Sequence, residues 1–272
     1  MRRELVPDEL WARVEPLLPR HRRKGRRGRP LRDDRACLRG IIFVLRTGIA
    51  WRDLPAEVFG CSGATCWRRL RKWSRAGVFE KLQRVLLNEL GHKGLIDWSR
   101  ASFDSSSLRA IKGGPKTGPN PTDRGKAGSK HHLVVDRRGL PLATLLSAAN
   151  VHDKREALPL LDAILPIKGP RGRPRRRPAK GHGDKGYDYA DTRRGLRKRH
   201  IVPRIARRGV ESKERLGRHR WVVERSLDWF HQMKRLRIRE ERNPQMHLAL
   251  LRLGHCLLLY RVLERHLRNG PE

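Results

Sequence analysis

The sequence predicts an α/β protein with an all-α, helix-turn-helix-like region at its N-terminus. Three observations carry that reading. Apolar residues recur at helical spacing up to about residue 92. From about residue 93, short β-rich runs alternate with helical stretches. The segment HHLVVDRRGLPLATLLS reads as a hairpin, two apolar runs around Arg137–Gly139. The order strand, hairpin, helix, strand, helix, strand, helix indicates layered α/β structure in residues 93–272. The expected division is therefore a helical region at 1–92 and an α/β domain at 93–272, with basic linkers at 20–32 and 168–180.

Each element has its own signal. Asp8 stands where it can cap a helix bearing Leu10, Trp11, Val14 and Leu17, closed by Pro16 and Pro19. Asp33 or Asp34 can cap a second helix with Cys37, Leu38, Ile41, Ile42 and Leu45 on one face. After the turn Gly48–Pro55, a basic helix begins near Ser62, with Cys66, Trp67, Leu70 and Trp73 on its apolar side. Arg68, Arg69, Arg71 and Lys72 fall largely on its other faces. A further helix holds Phe79, Leu82, Val85, Leu86 and Leu90. Beyond it, a strand is expected at Ala101–Phe103 and the hairpin at 131–148. Helices are expected at Lys154–Leu165, near Tyr189–Lys198, near Arg218–Leu236 and from about Pro244 to His266. A strand is expected at Ile201–Ile205.

Charge narrows the function. The 272 residues carry 64 Lys and Arg against 28 Asp and Glu, a formal net charge of +36. Self-repulsion of that size destabilises a compact chain unless a polyanion offsets it, and nucleic acid releases counterions when its phosphates are neutralised. No uninterrupted apolar run approaches the length of a membrane span. The N-terminus has basic residues but no apolar h-region, so no secretory signal is expected. Cys37, Cys61, Cys66 and Cys256 sit among apolar or aromatic neighbours and read as reduced core residues of a cytoplasmic protein. The C-x4-C pair Cys61 and Cys66 has no second pair at zinc spacing, so core packing is the expectation.

Several motifs have a plain reading beside the chemical one. GHGDKG fits G-x-G-x-x-G, but no apolar strand precedes it and Asp184 would face a pyrophosphate, which argues against a dinucleotide site. RGRP occurs twice, carrying Arg27, Arg29, Arg171 and Arg173. Such turns can lay arginines in a narrow minor groove, or they are solvated basic linkers. Asp104 ends a short strand, Asp184 lies in a Gly-flanked turn, and Glu224 sits on a polar helix face with Gly217, Arg220, Asp228 and His231. Three carboxylates can hold two Mg²⁺ or Mn²⁺ against a phosphodiester. On spacing alone the plainer account takes the larger share: Asp104 capping a turn, Asp184 bonding its own backbone, Glu224 pairing with Arg220. Asp153 and Asp188 compete for the same duty, with helix capping as their ordinary role, and His182 is expected to be structural.

Long blocks, in order, then point further. DDRACLRGIIFVLRTGIAWRDLP, GPNPTDRGKAGSKHHLVVD, GHGDKGYD and RWVVERSLDWFHQMKRLRIREER together resemble the DDE-type transposases of bacterial insertion sequences, in the group numbered five. The resemblance runs almost end to end. It implies a ribonuclease-H-like mixed-sheet catalytic core, with Asp104, Asp184 and Glu224 as the catalytic and metal-binding triad. Related enzymes carry a Tyr-Arg-Glu-Lys signature on the Glu helix; Arg220 fits its Arg, whereas Gly217 and His231 depart from it.

The function implied is a DNA transposase using two Mg²⁺ per site, with Mn²⁺ as a substitute. It would bind terminal inverted repeats through the helical region, with Arg68, Arg69, Arg71 and Lys72 as DNA contacts. It would cut the element ends and join the freed 3′-OH to target DNA, as a homodimer or larger synaptic complex. A catalytically inactive repressor and a ribonuclease-H-like nuclease are the alternatives.

Overall fold

The computed structural model describes residues 4–20, 31–207, 209 and 220–269. Gly217 and residues 21–30 of the first basic stretch, with Arg27 and Arg29, lie outside the described residues.

The helical region holds α1 (Asp8–Val14), α2 (Asp34–Thr47), the short α3 (Ala56–Phe59), α4 (Gly63–Arg75) and α5 (Val78–His92). Asp33, rather than Asp34, caps α2 by accepting from the Ala36 N–H at 2.7 Å. Gly48, at φ +75°, ends α2 in the left-handed conformation that a glycine adopts without penalty. Ser62 caps α4 through the Thr65 N–H. Asp8 is not a cap: Pro7 holds that position, and the Asp8 carboxylate pairs with Arg35 at 2.6 Å.

The α/β region contains β1 (Ala101–Ala110), β2 (Gly118–Pro119), β3 (Ala127–Asp136) and β4 (Pro141–Ala148). It continues with α6 (Lys154–Asp162), β5 (Lys180–Gly183), α7 (Ala190–Lys198) and β6 (Val202–Ile205). It ends with α8 (Trp221–His231), β7 (Ile238–Arg239) and α9 (Pro244–Asn269). β1 runs well past the expected Phe103, because the serines that follow pair antiparallel with β3. α8 stops at His231, and Lys234–Leu236 is a separate 3₁₀ turn. The expected hairpin forms as β3 and β4, with Gly139 at φ +88° in its turn. The second basic segment is not an open linker. Ile167 and Arg175 pair across it, and Arg175 lies 5.6 Å over the Trp98 ring.

The sheet runs β4-β3-β1-β5-β6, antiparallel through β4, β3 and β1 and parallel through β1, β5 and β6. An antiparallel three-strand meander extended by two parallel crossover strands is the ribonuclease-H-like arrangement.

One hydrophobic core continues from the helices into the sheet. α9 provides the link, packing on α4, α5 and β4. By length and composition α9 alone, among the described residues, is apolar enough to cross a membrane, but most of it is buried inside the fold. Leu250, Leu253, Leu259 and Leu263 are all fully buried there, each contributing about 1.5–3 kcal/mol relative to exposure. Arg235 forms a polar tie between the two regions. It is buried, paired with Glu241 at 2.8 Å and Glu240 at 2.9 Å, and it donates to the Ile49 carbonyl beyond α2.

Candidate active site and nucleic-acid surface

The parallel pairing of β1 with β5 sets the site. Ala101 stands opposite Gly181 and Ser102 opposite His182, and that register continued two residues on brings Asp104, inside β1, next to Asp184 just beyond the end of β5. Neighbouring strands lie about 4.8 Å apart, which brings the two residues close together. Glycines allow the close fit below them. A Cβ on Gly183 would meet the Phe103 ring at 2.6 Å, and Phe103 in turn packs edge-on against Tyr187, with ring centroids 4.9 Å apart. GHGDKG therefore supplies a strand and a tight turn, not a phosphate-cradling loop. Asp184 accepts from the Gly186 N–H at 2.9 Å, which holds its carboxylate at the turn.

Glu224 comes from α8, which packs across β1 and β3. Arg220, at the start of that helix, stands 3.3 Å from Glu224 and 4.0 Å from Asp104. The plain contacts expected from spacing are thus present, and they coexist with convergence on one place. Burial is the main force raising the Asp104 carboxyl to about 6; Asp184 and Glu224 add to the rise, while the Ser105 N–H and Arg220 oppose it. A surplus of carboxylates over cations, in a partly buried pocket, is a donor set suited to hard divalent ions. The three are not drawn to within 4.8 Å of one another, a closeness that one other side-chain group among the described residues does reach.

Supporting groups surround the triad. Asp153 does not cap α6; it accepts from the Ser105 hydroxyl at 2.8 Å and from Lys130 Nζ at 3.0 Å. Asp188 likewise pairs with Arg193, at 2.7 Å, instead of capping α7. His231 stands 3.4 Å from the Ser106 hydroxyl and lines a shallow pocket with Asp228, Ser107 and Arg237. Burial pushes its imidazole down, with Asp228 opposing. Ser105 and Lys130 carry no sequence signal of their own and reach this place only because β1 and β3 pair.

The helical region presents a basic groove of about 780 Å³, lined by Arg32, Arg68, Arg69 and Lys72 among others. Arg71 is exposed and stacks over Trp67 at 5.7 Å. Arg69 departs from its expected role as a DNA contact. It is largely buried and ion-paired with Asp34 at 2.9 Å, and it also donates to the Arg32 carbonyl, so its charge is committed inside the fold. Arg171 and Arg173 are exposed in the loop beyond Ile167.

Comparison with known proteins agrees with this geometry. Residues 6–83 match the family described as putative transposase of IS4/5 family, and residues 93–259 match the transposase DDE domain. The chain belongs to the DDE transposases of the IS4/5 family. A putative transposase for insertion sequence element IS402 of Burkholderia cepacia is 54% identical over 167 residues, covering 61% of this chain and 78% of that protein. An uncharacterized 16.2 kDa protein of the same element is 52% identical over 124 residues, covering 44% of this chain and 84% of its own length. Among solved structures, the Mos1 strand transfer complex aligns at 13% identity and a TM-score of 0.28, covering 86% of this chain and 80% of that one. The fold reading therefore rests on the sheet order of this chain. Transposases with this domain use divalent metal ions, and the carboxylate-rich edge at Asp104 fits that chemistry.

Proposed function

We propose that this chain cuts and rejoins DNA at the ends of an insertion element, with Asp104, Asp184 and Glu224 as the catalytic groups. The observation that carries the reading is the strand register that sets Asp104 beside Asp184, with Arg220 bridging towards Glu224. The three carboxylates would hold two Mg²⁺, or Mn²⁺ in their place. Bound there, the cations would supply Lewis-acid stabilisation of an in-line displacement at phosphorus.

The residues of the chain do the positioning. Asp104 must be ionised to act as a ligand, so its raised proton affinity makes binding of any cation depend on pH. Arg220 stands ready to exchange its carboxylate partners for a phosphate oxygen, offsetting charge that builds on the phosphoryl group. Ser105 and Lys130, tied together through Asp153, fix the strand segment next to Asp104. The groove at Arg32, Arg68 and Lys72 would take the DNA backbone near the terminal inverted repeats, with Arg71 beside it. Arg171 and Arg173 would add contacts to either element-end or target DNA. Residues 1–92 would serve recognition and 93–272 catalysis, in a homodimer or larger synaptic complex acting in the bacterial cytoplasm.

The test uses supercoiled donor DNA bearing the element ends, with Mg²⁺, and compares wild type with Glu224→Gln and Asp184→Asn. Cleavage followed by joined products is expected from wild type alone. Equal cleavage by wild type and Glu224→Gln would remove Glu224 from the chemistry. Cleavage without joining would indicate a nuclease, and DNA binding without cleavage a repressor.

A further inference from the structure

The tightest cluster of metal-ligating side chains among the described residues lies away from the carboxylates. The sulfurs of Cys37, Cys61 and Cys66 all fall within 4.8 Å of one another, and the last two are 3.5 Å apart. The three come from separate places: Cys37 from α2, Cys61 from the turn before the Ser62 cap, Cys66 from the first turns of α4. All are buried. Their meeting depends on a close helix crossing. A Cβ on Gly40 would stand 2.7 Å from the Cys66 sulfur, so that glycine is what lets α4 approach α2 at this point.

We propose that Cys37, Cys61 and Cys66 bind a zinc ion that fastens the basic helix α4 to α2. Zinc–thiolate bonds of about 2.3 Å in tetrahedral geometry put sulfurs about 3.8 Å apart, close to the spacing already present. Three thiolates and one Zn²⁺ leave one net negative charge; Arg69 lies against Cys37, although its own charge is shared with Asp34. Cys37 is lowered by its hydrogen bond to Cys66, with Cys61 and Arg69 adding to the effect against burial, whereas burial raises Cys61 and the bond to Cys37 raises Cys66, so a metal must displace protons from those two. Cys61 lines the basic groove, so water can complete the fourth position. The step balances without an oxidant: three S–H bonds lose their protons to solvent as three Zn–S bonds form. A Cys61–Cys66 disulfide would need an oxidant to accept two electrons, and it would leave Cys37 without a role.

The consequence is structural. Cys61 immediately precedes the cap of the helix that carries Arg68, Arg71 and Lys72, so the ion would fix the entry of that helix. This site is distinct from the carboxylate edge, and its test is independent of catalysis. The full-length chain, reduced and then freed of reductant without air, is titrated with Zn²⁺ and, separately, with Co²⁺. About one ion per chain is expected, with thiolate-to-cobalt charge-transfer absorption and a raised Tm with zinc. Asp104→Asn and Cys256→Ala should keep that ion, and Cys37→Ser and Cys61→Ser should lose it. Zinc should also shield three of the four cysteines of wild type from alkylation, a reading that survives should a variant fail to fold. Equal alkylation rates with and without zinc in folded wild type, or a Cys61–Cys66 disulfide in place of bound metal, would overturn the proposal.

Discussion

Arg220 stands 4.0 Å from Asp104, although the two lie on opposite sides of the site, one on a helix and one on the central strand. The guanidinium lowers the proton affinity of a carboxyl that burial and two other acids raise to about 6. Removing the cation leaves those raising forces unopposed. Arg220→Ala is therefore expected to move the acid limb of the pH–cleavage profile upwards and to cut the rate at neutral pH by about 10²-fold. Arg220→Lys should recover part of the shift, because a point charge restores attraction but not the planar fork. An acid limb that does not move in Arg220→Ala would show that the pair is incidental.

Asp153 bridges Ser105 and Lys130 without being an obvious triad member. Asp153→Asn keeps the shape but weakens the charge-assisted bond to Lys130. Cleavage is expected to fall about tenfold, with KM for DNA little changed. A loss as complete as that of Asp184→Asn would place Asp153 among the direct ligands instead.

Acid should destabilise the fold through its buried histidines. His255 donates to the Pro141 carbonyl at 2.9 Å and His132 stands 2.7 Å from the Ser147 hydroxyl; burial pushes both down to about 4. His131 and His247, ring to ring at 2.8 Å, are also lowered by burial. The unfolded chain protonates these groups near pH 6.5, so stability is lost as pH falls below that value. At pH 5 the cost is about 2 kcal/mol for each of His255 and His132. Asp104 and Asp136, both raised to about 6 chiefly by burial, act in the opposite sense. Their stabilising effect is full below about pH 4 and lost as pH rises through 6, giving back about 1.4 kcal/mol each at pH 5. His255 and His132 outweigh the two aspartates by about 1 kcal/mol, His131 and His247 act in the same sense as those two histidines, and a net loss is expected between pH 7.5 and pH 5. Urea midpoints at the two pH values measure it, and an unchanged midpoint would mean that the histidines stay solvated.

Gly63 opens α4 directly against the carbonyl of Trp51, which a Cβ would meet at 1.6 Å. The clash is with backbone, so no rotamer change relieves it. Gly63→Ala is expected to cost about 2–4 kcal/mol and to lower Tm by several degrees. Thermal unfolding within a degree of wild type would show that the α3–α4 turn yields easily.

Helices were legible where a polar cap precedes a one-sided apolar stripe, as at Asp33 and Ser62. The hairpin was legible because Arg137–Gly139 separates two apolar runs. The length of β1 was not: Ser105, Ser106 and Ser107 have no strand pattern of their own and are extended because β3 pairs with them. The carboxylate site could be assigned through family resemblance, while spacing alone left Asp104, Asp184 and Glu224 as ordinary turn and ion-pair residues. The burial of Arg69 was not legible, because a helical wheel shows direction, not partners. Asp34, the first residue of α2, takes its charge. The thiol cluster was hidden for a related reason, since Cys37 reaches the C-x4-C pair only through the crossing at Gly40.

That difference between Arg69 and its neighbours yields the last prediction. Arg68 and Lys72 are exposed along the groove, so each neutralised phosphate should contribute about one counterion to the salt dependence of DNA binding. Arg68→Ala with Lys72→Ala is expected to flatten the slope of log K against log salt by about two, leaving Tm nearly unchanged. Arg69→Ala should show the reverse pattern. Its loss takes the cation away from the largely buried Asp34 carboxylate at the start of α2, costing up to about 3 kcal/mol, while the salt slope of whatever protein stays folded hardly moves. Fluorescence anisotropy across a salt series, paired with thermal unfolding, separates the two behaviours. If Arg69→Ala flattens the slope as strongly as the double variant at unchanged Tm, then the Asp34 pair opens on DNA and Arg69 belongs with the contacts after all.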